Sequence, residues 1–358
     1  MDKLIRGLSL LLFSTFPFFL YAHDSSDTPL ANGFTWLHEQ QQVNGAFSTE
    51  NDLVLPFAAS YESALAFSNS NQLEHIDTVA LSAFITDQGP STTEGFVRSI
   101  SLKLKLGDTI DSEIESLLAH QNADGGFGDQ TGFDSTVYDS AFALQGLALT
   151  QYRNAPESGR VISYLLAQQQ EDGGFGLDQG APSSFYLTSL ALRALQPYLY
   201  TYNIGEAMTA AREYLFTQVS TGSDWPSDWE AAQFLLSVIP LTTDVSRYQS
   251  SLTWLLTQQQ ADGSWQGDVY STALAVQALY LADNITLPIA PDAAVIRGKL
   301  IDGSTAQPLA GISIGIEPSP GDSVITDSNG EFLVQGLQPN SYTLTYAADG
   351  YLTATQAF

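Results

Sequence analysis

Cysteine is absent from this 358-residue chain, and basic side chains are scarce. Only 12 Lys and Arg stand against 39 Asp and Glu, for a formal charge of −27. Without Cys there is no disulfide framework, no thiolate nucleophile and no Cys-ligated zinc. A large domain does not need disulfides for stability, so the absence leaves export open. So one-signed a charge repels nucleic acid and anionic lipid surfaces and disfavours anionic substrates. The acids are spread along the chain rather than run together, as on a solvated surface that keeps a protein soluble. Histidine is limited to His23, His38, His75 and His120. None pairs at metal-ligand spacing, so no metal site is expected through them.

The N-terminus carries a leader pattern. Lys3 and Arg6 form a positive start, and an apolar run over 8–20 is broken only by Ser9, Ser14, Thr15 and Pro17. Leu20-Tyr21-Ala22 then offers a small residue ahead of a cut before His23. This predicts a signal peptide over 1–22 and a secreted, periplasmic or cell-surface protein. No later segment reaches membrane-spanning length, so no membrane insertion is expected once the leader is cleaved. Cleavage removes two bases and one acid, which leaves the mature chain one unit more acidic.

Internal repeats organise the body. Five segments align: Trp36 to Phe47, Leu117 to Phe127, Tyr164 to Phe175, Tyr214 to Trp225, and Trp254 to Trp265. Their closing aromatics fall at 47, 127, 175, 225 and 265, and the wide first gap has room for a degenerate unit around 75–81. Each unit reads as helix, turn, helix. In the third, Ile162, Leu165 and Leu166 follow the i, i+3, i+4 spacing of one buried stripe. Gly173-Gly174 ends that helix, Asp172 bonds the turn amides, and Phe175 plugs the contact beneath. The second helices, Tyr186 to Leu195 and Tyr270 to Leu279, match position by position and are apolar almost all round. Such helices are buried on most of their surface. One helix of each pair is therefore outer and amphipathic, the other inner. Five to six such hairpins make either an open solenoid or a closed ring.

The run Gln-x-x-Asp-Gly-Gly-Phe at Gln121 to Phe127, followed by a helix opening on Asp139-Ser140-Ala141, resembles the prenyltransferase and squalene-cyclase repeat. The resemblance covers roughly residues 30–285. It implies an α/α toroid over 23–287. That superfamily includes terpenoid cyclases, protein prenyltransferase β-subunits, thioester-containing complement domains and cobalamin carriers, so the resemblance implies a fold and leaves function open. Cyclases of the squalene–hopene type protonate substrate with an Asp-x-Asp-Asp motif. Aligned on it, this chain has Thr136-Val137-Tyr138-Asp139 and keeps only the last acid. A lone carboxylate lacks the neighbours that tune such a proton donor. Prenyltransferases need a zinc-binding Cys and thioester domains a Cys–Gln crosslink, and neither can form here. No cofactor or metal is implied.

After Pro288 and Pro291 the pattern changes to short alternating strands at Val295–Ile301, Gly311–Ile316, Glu331–Val334 and Tyr342–Tyr346, with a predicted hairpin turn at Asp327–Gly330. The offsets linking Gly298, Pro308-Leu309-Ala310-Gly311, Asp327 to Phe332, Tyr342 and Gly350-Tyr351 resemble the carboxypeptidase regulatory-like domain. That resemblance implies a small transthyretin-like β-sandwich over 288–358, a spacer or protein-contact unit. The whole chain is thus expected to be α with a separate β domain.

Candidate site residues follow from superposing the repeats. Tyr61, Tyr138, Tyr186 and Tyr270 are expected at equivalent positions where the inner helices start, with the carboxylates of Glu62 and Asp139 each following one of them. These compose a tyrosine-lined mouth with two weak catalytic candidates, suited to a sugar, a peptide or a small hydrophobic molecule. The alternative is structural: each Tyr packs on the next repeat and each acid serves a helix N-terminus. Asp124, Asp129 and Asp134, with Gly between, read as oxygen ligands for Ca²⁺ or, since their spacing matches no EF-hand, as a solvated turn. Trp225 to Trp229 reads as a carbohydrate-stacking loop or as a degenerate repeat turn. The leading expectation is an exported, non-catalytic binding or scaffolding protein with an unidentified ligand or an extracellular protein partner. The rivals are an exported enzyme, a polysaccharide lyase or hydrolase or a terpene-type cyclase, and a small-molecule carrier. An enzyme predicts two carboxylates in one cavity, a carrier a deep apolar cavity, and a scaffold a plugged centre.

Overall fold

The computed structural model describes residues 28–199, 201–219 and 225–285, and in the C-terminal module 294–302, 305, 307–318, 324–327, 329–337, 341–346 and 354–357. The expected leader lies outside the described residues. Twelve α-helices are present among them: α1 (Pro29–Glu39), α2 (Pro56–Asn69), α3 (Thr78–Asp87), α4 (Thr93–Leu106), α5 (Asp111–Leu118), α6 (Val137–Ala148), α7 (Pro156–Gln168), α8 (Phe185–Leu195), α9 (Gly205–Gln218), α10 (Asp228–Val238), α11 (Gln249–Thr257) and α12 (Val269–Asn284). The even-numbered helices form the inner ring. Each packs on the next, and α12 packs on α2, so the ring is closed. The odd-numbered helices lie outside, each leaning on an inner helix, with α1 against α12.

Sequence explains the two kinds of helix. The outer α7 buries Ser158, Val161, Ile162 and Leu165, one stripe at helical spacing. The inner α12 buries every residue from Val269 to Leu279. Its many Ala, Ser and Thr side chains let neighbouring helices approach closely. The side-chain hydroxyl or carboxylate of the residue before α4, α6, α8, α10 and α12 accepts a backbone N–H of the first turn and starts each helix cleanly.

The turn between outer and inner helix does the joining. Gln41, Gln121, Gln169 and Gln259 each donate through Nε2 to the carbonyl of the glycine four residues on, at 2.8–3.3 Å. The same amide donates to the first turn of the next outer helix or the residue before it: Asp77, Glu157 and Ala207 in sequence, and then Pro29. The last of these bonds joins the end of the ring to its beginning. The glycines, Gly45, Gly125, Gly173 and Gly263, have φ of 86–96°. A Cβ there would stand 2.2–2.8 Å from backbone atoms of the next outer helix, so glycine meets both the left-handed turn and the close approach. The following aromatic, Phe47, Phe127, Phe175 or Trp265, is fully buried. Its N–H is taken by a hydroxyl of the inner helix, Ser60, Ser140, Thr188 or Thr272. Truncating such a plug costs about 3–5 kcal/mol.

The gap before residue 127 does hold a degenerate unit, α3 with α4, whose connection lacks the Asp-Gly-Gly-Phe turn. The fourth unit keeps its aromatic, since Trp225 packs 5.2 Å from Phe234 and 5.6 Å from Phe185, but among the described residues Gln218 donates to its neighbour Thr217 and bridges no turn.

The C-terminal module has two antiparallel sheets. One pairs β1 (Ala294–Lys299) with β4 (Glu331–Leu337), and the other runs β3 (Val324–Ile325), β2 (Ser313–Glu317), β5 (Thr343–Tyr346), β6 (Ala354–Ala357). Ile296 and Val334 from the first sheet share a core with Ile314, Ile316 and Leu344 from the second. The expected turn at Asp327 forms, with its carboxylate accepting from Asn329 and Glu331. The strands it joins belong to different sheets, so it is a corner of the sandwich and not a hairpin.

Candidate functional site

The paired hydroxyls above fix the register of the inner helices, and that register corrects the expected site. Tyr138, Tyr186 and Tyr270 stand at the second position of α6, α8 and α12. Tyr61 does not match them. It follows Ser60, whereas the other three precede Ser140, Thr188 and Thr272 by two residues, so Tyr61 lies almost one turn deeper. Glu62 and Asp139 are likewise not equivalent. The second positions of α4 and α10 are Glu94, which was not singled out from the sequence, and Trp229, which was expected in a stacking loop and instead stands in the first turn of an inner helix.

These second positions form the mouth of the ring. Tyr138 and Tyr186 have ring centroids 6.4 Å apart, and Trp229 stands edge-on to Tyr186 at 6.0 Å and 77°. Tyr138 Oη donates to Glu94 Oε2 at 2.6 Å. Burial pushes the Tyr138 hydroxyl far above its ordinary value, and the Glu94 charge adds to the shift. Burial likewise raises Tyr186 and Tyr270. All three remain protonated donors at any physiological pH.

One turn deeper the axis is polar and closed. Arg98 is 4% exposed; it donates through Nε and Nη2 to Glu94 Oε1 at 2.8 and 2.6 Å, and Nη1 lies 3.8 Å from Glu62 Oε1. Burial alone would weaken its charge, but Glu94 and Glu62 outweigh that and raise it. The guanidinium also lies over the Tyr61 ring at 4.8 Å. Glu62 accepts from Gln277 Nε2 at 3.0 Å, and Arg193 donates to Gln233 at 2.6 Å. The space left among Tyr61, Arg98, Phe142, Arg193, Gln233 and Tyr270 is about 10 Å³. That is about what one water requires. Tyr61 and Glu62 are thus parts of a plug and not of a pocket wall.

Asp139 sits at the third position of α6. Its carboxylate accepts from Thr136 Oγ1 at 2.6 Å while its N–H donates to the same oxygen at 3.0 Å. This is a reciprocal cap of the helix start. Burial raises its pKa. The structure brings it into no contact with Glu62, which lies in α2, on the far side of α4. In the 124–134 loop, Asp124 is used by the turn, accepting from Gly126 N–H and Ser135 Oγ. Among the described residues no three His, Asp or Glu side chains gather as a metal site, and no helix is long and apolar enough to cross a membrane. A separate surface groove of about 410 Å³, lined by Leu30, Phe34, Phe67 and Tyr280 with His38 and His75, opens at the opposite end of the ring.

Comparison with known proteins agrees with this geometry. Residues 115–158 and 156–209 match the prenyltransferase alpha-alpha toroid domain model, and residues 295–358 match the carboxypeptidase regulatory-like domain model. No curated protein sequence matches significantly. Among solved structures, the type II terpene cyclase MstE from Scytonema superposes over 71% of this chain and 97% of its own, at 13% identity and a TM-score of 0.56. A crystallised protein from Actinoplanes covers 72% of this chain and 99% of its own at 16% identity, with a TM-score of 0.57. The ent-copalyl diphosphate synthase from Streptomyces platensis is 18% identical over 63% of this chain and 50% of its own, with a TM-score of 0.50. The chain is therefore a terpene-cyclase-like α/α toroid followed by a carboxypeptidase regulatory-like β module. Identities this low establish the fold and not the reaction.

Proposed function

We propose that this is an exported, non-catalytic binding protein that recognises its ligand at the mouth of the toroid, on the surface formed by Glu94, Tyr138, Tyr186, Trp229 and Tyr270. The observation that carries the reading is the filled axis: about 10 Å³ is free where a buried small-molecule site needs roughly 300–1,000 Å³. The Arg98–Glu94–Glu62 network holds that plug in place. Opening it would separate buried charges at a cost of about 3–5 kcal/mol. The contact-type β module and the one-signed surface charge fit a protein that binds rather than transforms.

A cyclase-like enzyme is the competing reading. It draws on the structural neighbours and on Asp139, whose burial favours the protonated form a general acid needs. Against it, Thr136 occupies a carboxylate oxygen of Asp139, and the two companion acids of the cyclase motif are replaced by Thr136 and Tyr138.

A thermal-shift screen of sugars, peptides and small apolar molecules on the protein starting at His23 separates the two. The binding reading expects a stabilising ligand whose shift disappears in Tyr186→Ala and Trp229→Ala and survives in Asp139→Asn. Conversion of a prenyl substrate to cyclic product, abolished by Asp139→Asn, would overturn it.

A further inference from the structure

We propose that the mouth face docks a cationic polypeptide whose Lys or Arg residues are flanked by apolar side chains. This rests on the reading of the mouth as the binding surface and names its partner. Every outer helix ends, and every inner helix begins, on this face, so the described residues of the six connecting segments, 40–55, 88–92, 119–136, 169–184, 219 with 225–227, and 258–268, surround the mouth. None of them contains a Lys or an Arg. Glu50, Asp134, Glu171 and Asp178 in these segments are exposed. The opposite face is mixed, since its connections carry Arg153 and Arg247. The axis beneath the mouth adds no net charge, because Glu62 and Glu94 balance Arg98 and Arg193. The attraction for a cation therefore comes from the loops, and a charge field of one sign steers an oppositely charged partner.

A second, independent feature marks the same loops. Leu53, Leu55, Phe133 and Leu177 are 56%, 78%, 57% and 49% exposed beside those acids. Large apolar side chains grouped on one face signal contact with another macromolecule rather than with solvent. Between them lie the faces of Tyr138, Tyr186 and Trp229, which attract a Lys or Arg side chain laid over them. A partner that answers all three features alternates cationic and apolar side chains. An acidic or purely polar chain answers none or one.

The test uses the full mature protein and three labelled short peptides, alternating Lys with Leu, Glu with Leu, and Lys with Ser, followed by fluorescence anisotropy. The Lys/Leu peptide is expected to bind best. The Lys/Ser peptide should bind about tenfold more weakly, and the Glu/Leu peptide should not bind. Affinity should fall about tenfold between about 0.02 and 0.2 M salt, as expected for charge-steered contact. The triple variant Asp129→Asn, Asp134→Asn, Asp178→Asn removes charge from side chains that hold no turn hydrogen bond among the described residues, and should weaken binding at least about fivefold. The charge-matched control Glu74→Gln, Glu115→Gln, Glu206→Gln, placed off this face, should leave it unchanged. Equal loss in the two triples would mean unspecific attraction to a polyanion and overturns the proposal, as does equal binding of the Glu/Leu peptide. Failure of all three peptides while the ligand screen still yields a ligand lost in Trp229→Ala overturns the partner class and leaves the mouth reading standing.

Discussion

Gln169 shows how much one side chain carries. Its amide bridges the Gly173 carbonyl and the Ala207 carbonyl, both at 2.8 Å, so it holds its own turn and the neighbouring hairpin together. Gln169→Leu keeps the volume and strands two part-buried carbonyls. The expected loss is about 1–3 kcal/mol of unfolding free energy in urea, against near-zero for Gln168→Leu one residue earlier. A second residue-scale expectation concerns Asp228, at the first position of α10. Burial there raises its pKa to about 6, partly offset by a hydrogen bond from Gln266. The folded value lies above the unfolded one of about 4, so the folded state binds the proton more tightly. The group's contribution is complete below pH about 4 and is lost as pH rises through about 6. Asp228→Asn should therefore gain stability relative to wild type by about 1–3 kcal/mol between those limits, measured by urea titration at each pH. A difference independent of pH would refute the assignment. Residues were legible where the repeat pattern is regular: Tyr138, Tyr186 and Tyr270 recur two positions past a capping Thr, Ser or Asp. Tyr61 was misplaced because Pro56 begins α2 without such a cap. Glu94 was missed because its unit lacks the glycine turn, and Trp229, named only within a stacking loop, was not aligned with the tyrosines because its unit replaces that residue. Counting two residues past Thr92 and Ser227 finds both.

Closure is decided at the scale of one helix pair. Whether hairpins make a solenoid or a ring depends on α1 meeting α12, and the sequence pattern of any single repeat is silent on that. The structure supplies the answer through Gly33. A Cβ there would fall 2.5 Å from Val276 Cγ2 and 3.1 Å from Trp265, so α1 can seat only with glycine. The same seam is pinned by Leu53 N–H to Asp268 at 2.8 Å and Val269 N–H to Asp52 at 3.2 Å. Gly33→Leu should displace α1 and cost at least about 3 kcal/mol, with hydrogen exchange rising in α1 and α12 and unchanged in α6 and α7. Uniform loss of protection round the ring would show that the seam is no weaker than the other joints. The helical hairpins themselves were legible, since a glycine four residues after Gln41, Gln121, Gln169 and Gln259 marks four of the turns and the apolar pattern separates outer from inner helices. The degenerate unit of α3 and α4 was visible only as a gap, because its turn reads Gln88-Gly89-Pro90 and offers no aromatic to align.

At the scale of the molecule, the ring's hydrophobic core and the core of the β module are distinct clusters, each complete within its own segment. The ring fold is shared with solved terpene cyclases; the proposed function turns on the centre. Sequence alone left the hollow open, since an apolar inner helix lines a cavity and a plug equally well. Only the positions of Arg98, Glu62, Arg193 and Gln233, scattered over 62–233, reveal that the axis is occupied by its own side chains. The account therefore stands on the plug. Its most direct test is a crystal structure of the protein grown with a twenty-carbon prenyl alcohol. The account predicts an unoccupied axis, with Arg98 still bonded to Glu94 and flanked by Glu62. A prenyl chain lying among the inner helices, with that network pulled apart, would contradict it.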